Sequence, residues 1–303
     1  MAEVQQQAGY PKCRTFEDML GLWRMDAQAA YDADQSGTPR GAITGLEKLD
    51  RELGGAFSPG LHVVHGSAGA GKTAFALQTA ASCGTGALYV SCEMSTLELF
   101  RRTAARITGT YLERFKTGEM HPDASVRHAM ETAEKVPRLA IADASGGAMA
   151  DPSWIEEQVE VLAAKYGRPP LVVIDSVHSW TGSVNVGKDK LQEYDALNAA
   201  LAHLRQMAQR HGVAVISIAE RNRQSVDAGG LSASAGTRSF EYGAETVISL
   251  DRILGTDKKP VEPDLNGEVR IDVRMSKNRN GAAGRKIDML FSGRLQRFRE
   301  VPK

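Results

Sequence analysis

Three cysteines in 303 residues, Cys13, Cys83 and Cys92, with no CxxC pair, leave no material for a disulfide framework or a structural zinc site. Long apolar runs are missing too. Nothing approaches the roughly 20 residues needed to span a bilayer, and the opening MAEVQQQAGYPKC has no signal-peptide core. The expectation is a cytoplasmic chain with no membrane partner. Nor is there an excess of one charge: 37 lysines and arginines balance 37 aspartates and glutamates. No global positive field therefore points to nucleic acid, and any such site has to be a local patch facing a channel. No internal repeat is present. The composition, 42% hydrophobic and 24% charged, is globular and suffices for one large core with appendages.

The chain divides into three stretches. Residues 1–14 read as a disordered tail and 15–40 as a helix and loop. Residues 41–303 read as one α/β domain. Thr15 and Asp18 resemble a helix N-terminal capping pair, and Phe16, Met19, Leu20, Trp23, Ala27 and Ala30 recur at helical spacing. That helix should end near Asp32, and its apolar stripe must dock either on its own domain or on a neighbouring subunit. Downstream, strand and helix patterns alternate, the sign of a mostly parallel sheet covered by helices on both faces. Candidate strands are 61–65, 87–92, 139–142, 171–174 and 213–218. The clearest helix, 191–210, carries Leu191, Tyr194, Leu197, Leu201 and Leu204 on one stripe. Beyond Glu220 the runs 246–250, 269–275, 287–291 and 295–298 follow without helices, which predicts an antiparallel C-terminal extension. Residues 228–236, AGGLSASAG, read as a surface loop.

Chemistry concentrates at four places. Gly66, Ser67, Ala68, Gly69, Ala70, Gly71, Lys72 and Thr73 match GxxxxGK[ST] in full, between an apolar strand and a helical run. Glycines there let backbone N–H groups converge on phosphate oxygens, and the helix N-terminus adds positive potential. Lys72 would neutralise the β- and γ-phosphates of ATP, and the Thr73 hydroxyl would ligate Mg²⁺. Asp175 ends the apolar strand LVVID and can hold the metal through water; such strands are common, and the pairing with the phosphate loop is what singles it out. Glu93 ends the strand after the loop's helix, where a carboxylate can deprotonate an attacking water. It also reads as an acid at the start of the next helix. Lys277 and Arg279 lie at the tip of a late strand pair beside Asn280-Gly281, a hairpin turn signal. They read either as a solvated basic tip or as cations that meet a phosphate across a subunit boundary.

Together these segments resemble the ATPase domain of DnaB-type replicative helicases, within the RecA-like family of P-loop motors. The resemblance runs from about Phe16 to Arg299. Residues 44–50 with Gly54-Gly55 look like that family's entry into the core, and Gly71 to Leu77 its phosphate-loop segment. Cys92-Glu93-Met94-Ser95 is similar to its SxEMS-type segment, and Lys277 with Arg279 to its KxRNG hairpin. The resemblance implies a RecA-like P-loop NTPase core and makes Glu93 the catalytic glutamate. Lys277 and Arg279 become cations acting on a neighbour's ATP, and the helix from Phe16 a linker that docks on that neighbour. The same residues resemble RadA-type recombination ATPases through Ile174-Asp175-Ser176 and Lys277-Asn278-Arg279. Zinc-binding cysteines at the N-terminus and a protease-like domain, both found in that family, are lacking here, as is the primase-interacting domain of a full replicative helicase. Glu220 stands where these families usually carry glutamine or histidine, and would repel phosphate unless protonated or turned toward a cation such as Arg221 or Arg279.

The reading that follows is an ATP-hydrolysing, homo-oligomeric motor, a hexameric ring, acting on single-stranded DNA with Mg²⁺ as cofactor and with replication or recombination proteins as partners. DNA would be gripped by the loops 182–190, through Lys188 and Lys190, and 221–238, through Arg221, Arg223 and Arg238. Those loops have few aromatics, so base stacking is not expected. Two other functions stay open: a RadA-like branch-migration ATPase, and a KaiC-like regulatory ATPase acting on a protein partner.

Overall fold

The computed structural model describes residues 13–148, 150–184, 193–220, 243–255 and 261–301, with backbone alone at 182–184, 193–194 and 220. The five cations expected to hold DNA (Lys188, Lys190, Arg221, Arg223 and Arg238) and the segment 228–236 lie outside these residues. Two compact units divide between Arg40 and Gly41.

In the first unit, α1 (Phe16–Ser36) begins at the expected capping pair. Asp18 N–H donates to Thr15 Oγ1 at 3.2 Å, and Thr15 N–H to Asp18 Oδ2 at 2.8 Å. The helix continues to Ser36 rather than ending near Asp32. What stops it is Gly37, left-handed at φ 64, with Thr38 N–H returning to Ala33 O at 3.0 Å. None of its residues is buried.

The second unit contains α2 (Glu47–Glu52), β1 (Gly60–Gly66), α3 (Lys72–Ser82), β2 (Ala87–Ser91), α4 (Thr96–Thr108), a 3-10 turn (Leu112–Phe115) and α5 (Pro122–Lys135). There follow β3 (Leu139–Asp143), α6 (Pro152–Tyr166), β4 (Leu171–Asp175), α7 (Val177–Val184), α8 (Glu193–His211) and β5 (Ala214–Glu220). It closes with β6 (Thr246–Arg252), β7 (Glu268–Asn278), β8 (Lys286–Ser292) and β9 (Arg297–Glu300). Among the described residues nine strands form one sheet, ordered β3-β2-β4-β5-β1-β6-β7-β8-β9. Pairs as far as β1–β6 are parallel, and β6–β7, β7–β8 and β8–β9 are antiparallel.

The central strands are apolar on both faces because helices cover both. Along β4, Val173 joins a core with Leu49, Phe75, Tyr89 and Met275. Its neighbours Val172 and Ile174 turn to the other face, with Ile155, Trp180, Leu204 and Met207. Leu197, Leu201 and Leu204 of the α8 stripe are buried as their spacing predicts.

Two boundaries near the C-terminus move. The β9 strand starts at Arg297 because Leu295 and Gln296 form the preceding turn, Gln296 at φ 51. The Asn280-Gly281 pair does not make a two-residue hairpin; seven residues, 279–285, join β7 to β8. That loop is held by neighbours distant in sequence. Asn280 Nδ2 donates to Ser58 Oγ at 2.8 Å, Asn278 Nδ2 to Glu52 O at 2.9 Å, and Arg285 Nη1 to Glu52 Oε1 at 2.8 Å.

Register fixes which groups share a sheet edge. Gly66 pairs with Glu220 and with Leu250, at the ends of β1, β5 and β6. Because β7 runs back, Asn278 pairs with Thr246, which is also in register with His62 near the start of β1. The 66-end and the 278-end are thus opposite ends of the strands, four residues apart in register, about 13 Å along the strand direction.

Candidate active site

The glycine loop leaves β1 at its C-terminal edge. A Cβ at Gly66 would lie 2.1 Å from Leu250 O, so only glycine fits beside β6. Ser67 N–H donates to that same Leu250 O at 3.3 Å, and Ala70 N–H to Ser67 O at 3.2 Å. Gly69 and Gly71 are left-handed, at φ 74 and 85, and Gly71 caps α3. The first helical bond runs from Phe75 N–H to Gly71 O at 2.8 Å. The amides of Lys72, Thr73 and Ala74 therefore have no partner within the helix, the ordinary condition of a helix start that favours anions. Lys72 Nζ bends back over the loop and donates to Gly66 O at 3.2 Å and Ser67 O at 3.4 Å.

Asp175, at the end of β4, is 4% exposed. Tyr89 OH donates to its Oδ2 at 2.6 Å. Burial pushes the Asp175 carboxyl above its usual range and Glu93 adds to this; Tyr89, Thr73 and Lys72 pull the other way. Burial and Asp175 raise the Tyr89 phenol well above its ordinary value, so it remains a donor.

Glu93 follows β2, whose end is tied to β4 by Cys92 N–H donating to Asp175 O at 2.7 Å. Its Oε1 accepts from Ser176 Oγ at 2.5 Å and from Ser179 Oγ at 2.9 Å. The helix start is occupied by Ser95, whose Oγ accepts from Glu98 N–H at 3.4 Å, so capping α4 falls to Ser95 and not to Glu93. The Cys92 thiol is pushed up to about 12 by burial, with Asp175 and Glu93 adding to it, and is no nucleophile.

Lys72, Thr73, Glu93 and Asp175 line one cavity of about 330 Å³ together with Gly69 and Gly71. Arg102 and Gln296 line it too, residues no motif had pointed to. Arg102 Nη1 donates to Gln296 Oε1 at 2.7 Å and its Nε to Glu98 Oε1 at 3.2 Å. Ser179 was equally unmarked, and Ser176 entered only through the Ile174-Asp175-Ser176 likeness, with no role given to it; the hint is a serine pair one helical turn apart directly after Asp175.

Lys277 and Arg279 do not line this cavity. Lys277 pairs with Val247 at the start of β6, and Arg279 Nη1 donates to Glu245 Oε1 at 2.9 Å. Both stand at the opposite sheet edge from the glycine loop. The same register places Glu220 opposite Gly66, at the other ends of the strands from Arg279.

A sheet in this order with a glycine loop feeding a helix at the end of its central strand is a RecA-like ATPase core. Residues 41–300 match the family model of the DnaB-like helicase C terminal domain, and the chain belongs to that family. A DNA repair protein RadA of Mycobacterium tuberculosis is 28% identical over 260 residues, 84% of this chain and 42% of the relative. The chain thus spans less than half the length of the curated relatives it matches. Among solved structures, a single ATPase domain is similar with a TM-score of 0.77 at 17% identity, covering 96% of this chain and 100% of that one. A DnaB-like replicative helicase, solved for its interactions with primase, gives 0.73 at 17% identity, over 96% and 68%. A KaiC-like protein from the archaeon Pyrococcus horikoshii OT3 gives 0.56 at 20% identity, over 87% and 100%. Among the described residues no helix is long and apolar enough to cross a membrane.

Proposed function

We propose that this chain hydrolyses ATP with Mg²⁺ at interfaces between copies of itself, in a hexameric ring, and uses that turnover to move along single-stranded DNA as a helicase-type motor. One observation carries the reading. The groups suited to phosphate and water (Lys72, Thr73, Glu93 and Asp175) surround one cavity. The cations of the 277–279 segment do not line it and stand at the opposite ends of the strands. That placement supports a role at the cavity of another copy.

Within one subunit, the 66–71 amides and Lys72 bind the phosphates. Among the described residues no cluster of three or more His, Cys, Asp or Glu could enclose a metal. Thr73 and Asp175 nevertheless supply two hard oxygens side by side, enough for a divalent cation that takes its other ligands from phosphate and water. When bound, Mg²⁺ would screen the charge of the phosphates. Glu93, fixed by Ser176 and Ser179, accepts a proton from the water that attacks phosphorus. Arg279 and Lys277 of the next subunit meet the charge that builds on the transferred group. The exposed Phe16, Leu20 and Trp23 of α1 suit that helix to docking on the neighbour.

A second reading, a recombination ATPase acting on branched DNA with recombination proteins as partners, is favoured by the RadA relative. ATP turnover measured with and without single-stranded DNA over a range of salt tests the proposal. Stimulation by DNA, with affinity falling as salt rises, is expected. Turnover indifferent to DNA would overturn the motor reading in favour of a regulatory ATPase. Strand displacement on forks against branch migration decides between the two DNA readings.

A further inference from the structure

Arg279 leaves β7 at a point where the next described segment, beginning at Gly243, enters β6. Three contacts of Glu245 converge there. Its N–H donates to Leu61 O at 2.7 Å, its carbonyl accepts Arg279 N–H at 3.0 Å, and its Oε1 accepts Arg279 Nη1 at 2.9 Å. The stem of the glutamate is held as well. Gly60 lies under it, and a Cβ at Gly60 would come within 2.5 Å of Glu245 Cγ. Gly60 is at φ 143, a conformation L-residues rarely adopt, so the close approach is built into the backbone. The glutamate is thus fixed by main chain on two sides and by packing along its stem.

The ion pair is asymmetric: the Arg279 side chain is 47% exposed and that of Glu245 only 21%. A half-exposed pair of this kind adds little to stability. What it does provide is direction, because an arginine side chain otherwise has several rotatable bonds to fix before it can meet a phosphate. With Nη1 held by a rigid carboxylate, the plane of the guanidinium is fixed.

We propose that Glu245 is a positioning residue for the Arg279 finger, holding its guanidinium in the orientation in which it meets the nucleotide of the adjacent subunit. The inference rests on the reading that Arg279 acts in trans. Glu245 touches no nucleotide of its own chain; it works through Arg279 alone.

The test uses the full chain and compares Glu245→Ala, Glu245→Gln, Arg279→Ala and the double variant Glu245→Ala/Arg279→Ala. Steady-state kcat and KM for ATP are measured, with binding of a fluorescent non-hydrolysable ATP analogue and thermal melting alongside. Glu245→Ala is expected to lower kcat about tenfold or more, the scale of a misplaced reacting group, with KM and analogue affinity within about twofold of wild type. Glu245→Gln keeps the stem over Gly60 and an acceptor oxygen, and should retain more turnover than Glu245→Ala. The double variant should be no slower than Arg279→Ala, since both changes remove one function. A Glu245→Ala protein with wild-type kcat, while Arg279→Ala has lost turnover, would overturn this inference and leave the trans finger standing. Additive losses in the double variant would overturn it too. Normal turnover in Arg279→Ala would remove the finger and the inference together.

Discussion

Two carboxylates end neighbouring strands at one edge of the sheet, and their surroundings separate them. Asp175 is buried with a phenol hydroxyl on it, while Glu93 faces the cavity with two serine hydroxyls on one oxygen. Both were legible as acids ending apolar strands. The partners that hold them were not, because Tyr89, Ser176 and Ser179 come together only when β2 and β4 pair. His62 was silent in the sequence and has a physical consequence. It is fully buried on β1, with Nδ1 2.8 Å from Thr246 Oγ1 and Nε2 2.8 Å from Ser58 O. Burial lowers its pKa from 6.5 to about 4. A depressed folded value means that the neutral form stabilises the fold above pH 6.5 and that this contribution is lost as pH falls through 4. The linkage is worth roughly 3 kcal/mol. Urea unfolding at pH 7, 5.5 and 4 should therefore show a steeper acid loss in the wild type than in His62→Gln. Parallel losses in the two proteins would rule His62 out as the source.

At the scale of elements, the glycine loop and α3 were read correctly because their chemistry constrains residue type at each position. Strands were legible as short β-branched runs. Ends were less so. The stop at Gly37, the shift of β9 and the seven-residue loop after β7 depend on local left-handed residues or on partners such as Ser58 and Glu52, distant in sequence. Gly71 joins both kinds of constraint. It is left-handed at φ 85, and a Cβ there would sit 3.0 Å from the rings of both Phe291 and Phe298. Gly71→Ala should cost about 1–2 kcal/mol of backbone strain and push the loop away from its phosphate-binding form. Titration with a fluorescent ATP analogue should show affinity reduced about tenfold, the equivalent of 1.4 kcal/mol. Wild-type affinity would mean that the loop's curvature does not depend on this glycine.

For the whole molecule, the decisive feature is the distance between the two sheet edges. Sequence likeness paired the 277–279 cations with a neighbour's nucleotide, but no spacing in the chain could say on which side of the sheet they stand relative to the glycine loop. The register puts the two at opposite ends of the strands, by setting Asn278 opposite Thr246 and Gly66 opposite Leu250. The five cations expected to contact DNA lie outside the described residues. An assembly that completes each site from two subunits makes a specific prediction for mixtures. Glu93→Gln subunits keep the finger and lose the base; Arg279→Ala subunits keep the base and lose the finger. Each alone should be nearly inactive. Co-assembled in equal amounts, about one interface in four joins an intact site to an intact finger. The ATP turnover of that mixed assembly is the most direct measurement: recovery well above either parent is the predicted result, and a mixture no more active than its components would contradict hydrolysis across the subunit boundary.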